Sequence, residues 1–137
     1  MSQDEGRGAN PNAMQIGGDH YLAGYQVWDF TEKHGLGGLE MCIIKYMCRW
    51  RDKGNGMMDL EKAIHFVDKL IDLHKNHRRV PKGCASLSDI QYFSVMQDLD
   101  KTEEFAVTVI SRWSCVEDLF GCRAAIQSLI NDDSAGI

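Results

Sequence analysis

Cysteine occurs without pattern in this chain. Its five residues, Cys42, Cys48, Cys84, Cys115 and Cys122, form no C-x-x-C pair, and their number is odd. That spacing excludes the common zinc sites and a disulfide framework, and predicts a reducing compartment with thiols used as small apolar fillers. No apolar run approaches the roughly 20 residues of a membrane span, so no membrane partner is expected. The N-terminus is polar and lacks the apolar segment of a secretory signal, which also predicts a cytoplasmic location. No G-x-S-x-G, H-E-x-x-H or G-x-x-x-x-G-K-[ST] occurs, which removes the usual serine-hydrolase, zinc-protease and phosphate-loop architectures. No internal repeat or low-complexity tract stands out.

Charge of one sign is also scarce where a nucleic-acid binder would need it. The 137 residues carry a net charge of −5. Residues 39–79 hold nine Lys/Arg against six Asp/Glu, a local +3, and the rest carries −8. General nucleic-acid binding is not expected from such a balance. A local concentration of cations fits a small anionic ligand better.

What is present is helical periodicity. Leu39–Lys53 places Leu39, Ile43, Tyr46, Met47 and Trp50 on one face, widened by Met41, Ile44 and Cys48. Gly54-Asn55-Gly56 then offers a tight turn. A second helix starts near Met57–Asp59, with Leu60, Ala63, Val67, Leu70, Ile71 and His74 among its apolar positions. A turn this short predicts an antiparallel helical hairpin over 39–79.

Around the hairpin the chain divides into three parts. Residues 1–15 read as a polar arm. Residues 16–79 read as the helical core, opened by a short helix over Gln26–His34 with Val27, Trp28 and Phe30 as anchors. Residues 80–137 read as a helical extension of the same domain. Val80-Pro81-Lys82-Gly83 starts a linker over 80–89, and Asp89–Leu99 is ambiguous in type. Lys101–Trp113 suits a helix with Phe105, Ala106, Val109, Ile110 and Trp113 inward, although its Val-Thr-Val-Ile centre also suits a strand. A last helix over Val116–Ile130 would bury Leu119, Cys122, Ile126, Leu129 and Ile130, leaving Asn131–Ile137 as a frayed tail. The fold class predicted is all-α, four to six helices, with a C-terminal helical pair.

Three polar groups are candidates for chemistry. Lys45 and Arg49, one turn apart on a mostly apolar helix beside Tyr46 and Trp50, suit a phosphate and a flat base, or are simply the solvated face. Asp29, between two aromatics, suits a ligand hydrogen bond, a pairing with Lys45 or Arg49, or a helix-start carboxylate. Glu61, His65, Asp68 and Asp72 share an arc of the second hairpin helix. They suit Mg²⁺ through Asp68 and Asp72, or a solvated stripe paired with Lys62 and Lys69. Gly17 and Gly18 before His20 and Tyr21 allow a ligand or another chain to approach the backbone closely.

Five blocks in order carry a resemblance: His20-Tyr21; Trp28-Asp29-Phe30; Lys45-Tyr46-x-x-Arg49-Trp50-x-x-Lys53-Gly54; Asp59-Leu60-x-Lys62-Ala63; and Asp68-Lys69-Leu70-Ile71. Over residues 17–75 the chain resembles a family of small phage and prophage nucleotide kinases. Where the family has Tyr before Leu-Asp, this chain has Phe66-Val67. The resemblance implies a phage protein of the host cytoplasm that phosphorylates deoxynucleoside monophosphates, notably those of guanine and thymine. ATP or another nucleoside triphosphate would be the donor, with Mg²⁺. It implies Lys45, Arg49 and Asp68 as the catalytic set. His20, Tyr21, Asp29, Tyr46, Trp50, Lys53 and Lys62 would bind substrate. Residues outside the match are where homo-oligomer or host-protein contacts are expected. The alternatives are a non-catalytic protein that sequesters a nucleotide against host defence, and a phage protein that binds a host protein through the hairpin and has no ligand.

Overall fold

Some of the helices start where the sequence supplies side-chain acceptors for their first-turn amides. Ser86 Oγ accepts from the Asp89 amide at 3.2 Å, and Asp100 accepts from the Glu103 amide at 2.8 Å while Glu103 returns a bond to the Asp100 amide, also 2.8 Å. That reciprocal box decides the ambiguous segment after Asp100 in favour of helix, against its β-branched centre. The computed structural model describes residues 26–134, apart from 53 and 82. The arm expected at 1–15, and His20, Tyr21 and Lys53 of the expected site, lie outside the described residues.

Among the described residues six α-helices follow in order: α1 (Val27–Lys33), α2 (Gly38–Arg49), α3 (Gly56–Lys75), α4 (Leu87–Met96), α5 (Lys101–Arg112) and α6 (Val116–Ser134). A single 3₁₀ turn, Trp50–Asp52, ends α2. No strand occurs among the described residues, so the protein is all-α. Helix α2 packs on α3, α3 on α6, α6 on α5, and α5 back on α2, while α1 lies on α2 and α4 on α5. This is a four-helix bundle with two short flanking helices. Arg49 meets Asp59, Tyr46 meets Phe66 and Glu40 meets Arg79, so α2 and α3 run in opposite directions. The turn between them is tight: a Cβ on Gly56 would collide with the Trp50 carbonyl oxygen, which is why only glycine fits there.

The core is fully buried and drawn from all four long helices: Ile43, Ile44 and Met47 from α2, Leu60 and Val67 from α3, Val107 and Ile110 from α5, and Leu119 and Ile126 from α6. Fully burying each such side chain stabilises the fold by about 1.5–3 kcal/mol. Three expectations need correction. Phe105 is 52% exposed, and Val107 rather than Phe105 points inward. The face of α5 is set by Glu103, which is pulled into the core by hydrogen bonds from Trp50 and Arg51. Helix α6 continues through Asn131 to Ser134 instead of fraying.

The third correction concerns repetition. The order short helix, 12-residue helix, long helix occurs twice, and the packing is the same in each half. Even the ends of α1 and α4 match: Gly35 and Asp98 both take positive φ (66° and 57°), and Leu36 and Leu99 both donate back into the preceding helix at 3.0 Å. Reading straight along the sequence misses this, because burial and capping positions recur far more than residue identities do.

Candidate functional site

Helix α2 turns Ile43, Ile44 and Met47 into the bundle, which leaves Lys45 and Arg49 together on its outer side. Tyr46 lies at the boundary between the two. Its ring stacks on Phe66 of α3, with centroids 6.0 Å apart and planes 9° from parallel. The Lys45 ammonium sits 5.2 Å and the Arg49 guanidinium 5.1 Å from the Tyr46 centroid, both within cation–π reach. One turn before Phe66 on α3 stands Lys62, exposed. The structure therefore brings Lys45, Tyr46 and Arg49 together and sets Lys62 on the α3 face that carries their aromatic neighbour.

Asp59 is the residue that sequence reasoning missed at this site. Arg49 Nε and Nη2 donate to its two carboxylate oxygens at 3.2 and 3.4 Å, and the Asp59 side chain is buried. A helix-start position near the macrodipole is what the sequence alone suggests for it. The stronger signal is the turn length, since a hairpin closing between 50 and 56 must bring the end of α2 onto the start of α3. The pair fixes the guanidinium and offsets its charge. Among the described residues no carboxylate reaches Lys45 or Lys62 within ion-pair distance, so the surplus positive charge of this flank rests on those two lysines.

Other expected site residues stand elsewhere. The Trp50 indole is buried and donates to Glu103 Oε2 at 2.7 Å; Arg51 Nε reaches the same oxygen at 2.6 Å and stacks on the indole. Trp50 therefore anchors α2 to α5 and does not join Lys45. Asp29 Oδ2 accepts from the Gln26 amide at 3.1 Å, the helix-start arrangement. Asp68 accepts a two-point contact from Arg123 of α6 at 2.8 and 3.3 Å, and Asp72 Oδ1 accepts from Asn76 at 3.2 Å. Among the described residues no three His, Cys, Asp or Glu side chains converge as metal ligands. A cation at Asp68 would compete with Arg123 for the carboxylate, while Asp72 carries one bond from Asn76.

The thiols offer no nucleophile in the core. Burial, with Glu103 and Asp52 nearby, pushes the Cys48 thiol far above its ordinary value, and burial alone pushes Cys122 up to about 12. The flank thus sets the Lys45 ammonium and the paired Arg49 guanidinium on the Tyr46 ring, with exposed Lys62 one turn before the stacked Phe66. No helix among the described residues is long and apolar enough to cross a membrane. No family model, curated protein or solved structure matches this chain.

Proposed function

We propose that the chain binds a deoxynucleoside monophosphate on the α2–α3 flank, with Lys45, Arg49 and Lys62 around the phosphate. The observation that carries this reading is the grouping of Lys45 and Arg49 on the Tyr46 ring, with no carboxylate on Lys45 among the described residues. A half-buried ammonium beside an oriented guanidinium gains charge-assisted hydrogen bonds from a phosphate that solvated lysines do not match. The resemblance over 17–75 supports the same ligand class and adds phosphoryl transfer as its use. In that reaction a monophosphate oxygen bonds to the γ-phosphorus of a nucleoside triphosphate, the bond to the β-phosphate oxygen breaks, and a nucleoside diphosphate leaves. Such a transfer depends mostly on positioning and charge neutralisation, which is what Lys45 and Arg49 supply.

Sequestration without turnover is the second reading. The Asp68–Arg123 pair favours it, because it occupies the carboxylate otherwise available for donor magnesium. Incubation with ATP, Mg²⁺ and each deoxynucleoside monophosphate, followed by chromatography for diphosphates, separates the two. Diphosphate formation that disappears in Lys45→Ala supports the kinase. Tight binding with no product from any pair leaves the sequestering protein. A folded parent that binds no deoxynucleoside monophosphate overturns both.

A further inference from the structure

Residues 63 positions apart correspond through the first two helices of each half: 30 and 93 are both Phe, 40 and 103 both Glu, 49 and 112 both Arg, 50 and 113 both Trp. In the third helices the offset is 59, because the second connection is shorter: 59 and 118 are both Asp, 60 and 119 both Leu, 70 and 129 both Leu. The contacts obey the same exchange. Trp50 Nε1 donates to Glu103 at 2.7 Å, and its counterpart Trp113 Nε1 donates to Glu40, the counterpart of Glu103, at 2.8 Å. Reciprocity of this kind, i to j and j to i, marks a two-fold relation. Phe30 stacks on its own counterpart Phe93 with centroids 4.5 Å apart, as a pair on the axis must.

The equivalence stops at the candidate site. Thr108 stands for Lys45, Val109 for Tyr46, Gly121 for Lys62, Ala125 for Phe66 and Ser128 for Lys69. The arginine is kept, but Arg112 Nη1 donates to the Ala85 carbonyl at 2.6 Å and so holds backbone. Where the first half carries Lys62, Phe66 and Lys69, the second has an open groove of about 490 Å³ lined by Gly121, Ala124, Ala125 and Ser128 of α6 and by Lys101, Thr102 and Phe105 of α5. The buried positions that hold the two halves together match, whereas Lys45, Tyr46, Lys62 and Phe66 have no like residue in the second half.

We infer that residues 89–134 are a site-less copy of the first half, fused in the place a second subunit would take, so that the chain holds one nucleotide and not a symmetric pair. This assignment rests on the nucleotide reading above and adds to it stoichiometry and location. It singles out Lys45 and Lys62, which the second half lacks, as the residues that make a site of this scaffold, over Arg49, which both halves share.

The test is isothermal titration of the full chain with dGMP and dTMP, with thermal melting of each variant as the folding control. The parent takes up one equivalent per chain. Lys45→Thr and Lys62→Gly give the first half the residues of the second, and each weakens binding about tenfold or more, the scale of a lost charge-assisted hydrogen bond. Lys45→Gln replaces Lys45→Thr if the latter does not fold. Ala125→Phe fills the groove and leaves both stoichiometry and affinity unchanged. Two equivalents on the parent overturn the inference. So does one equivalent that survives Lys45→Thr and Lys62→Gly, or that is lost on Ala125→Phe; two equivalents leave the nucleotide reading standing, whereas the other two results keep the ligand class and move it off the α2–α3 flank. No binding of either nucleotide by the parent overturns the nucleotide reading and the inference with it.

Discussion

Replacing Glu40 by leucine should be among the most damaging single changes in this protein. Its side chain is 1% exposed, and Arg79, 11% exposed, reaches its two oxygens at 2.5 and 2.8 Å. Trp113 Nε1 adds a third bond at 2.8 Å. Removing one partner of a buried pair leaves the other charge uncompensated and costs about 3–5 kcal/mol. The orphaned indole N–H adds about 1–3 kcal/mol. Against a typical domain stability of about 5–15 kcal/mol, Glu40→Leu therefore unfolds a large share of the molecules. Most of that cost is the stranded guanidinium, so Arg79→Met in the Glu40→Leu background should restore much of it, because neutralising both partners of a buried pair is often harmless. Urea unfolding followed by circular dichroism on the parent, both single variants and the double gives the coupling energy directly. A loss below about 1 kcal/mol for Glu40→Leu, or a double variant no better than it, would refute the view that this contact is buried and fully paired.

Arg49→Ala should weaken deoxynucleoside monophosphate binding by about 1.5–3 kcal/mol, read by titration calorimetry on a variant shown to be folded. Iodoacetamide at pH 8, followed by mass spectrometry of the native protein, should label exposed Cys84 and spare Cys122, whose thiol is pushed up to about 12 and so stays protonated until far more alkaline conditions. Hydrogen bonds from the Ser114 backbone hold the Asp118 carboxyl below its ordinary value. Its contribution is therefore present above the unfolded value near 4 and is lost as pH falls through the folded one, so the destabilisation by Asp118→Asn at pH 7 should shrink in acid, measured by melting. Gly56→Ala should cost about 1–3 kcal/mol by forcing the turn off the Trp50 carbonyl, read as a shift in the urea midpoint.

The apolar faces of α2 and α3 were legible in the sequence because period-3.6 spacing reports burial directly. The Asp100–Glu103 capping box, seen in the structure, outweighs the β-branched run that follows it. Phe105 shows where such reasoning fails. A helix buries the stripe its neighbours demand, and a glutamate drawn inward by Trp50 and Arg51 rotates α5 away from the choice that hydrophobicity alone would make. Trp50 and Asp68 hold contacts that the local sequence does not announce, for a related reason. Each stands next to residues of suitable chemistry in sequence, while its own partner, Glu103 or Arg123, comes from a helix more than fifty residues away. The Arg49–Asp59 pair lay within reach of sequence reasoning, since a short turn obliges the ends it joins to meet. The relation between the halves did not, because a changed offset at the second turn breaks any simple alignment of one half on the other.

The crossed glutamate–tryptophan contacts have a consequence for how the protein is made. Glu40 finds Trp113 across 73 residues, and Trp50 finds Glu103 across 53. While the chain emerges from the ribosome, the N-terminal hairpin therefore carries a carboxylate without its indole partner and an indole without its carboxylate partner. Neither deficit is relieved until the second hairpin has left the exit tunnel. Both ends of the bundle therefore close late, once α5 is free to pack on α2.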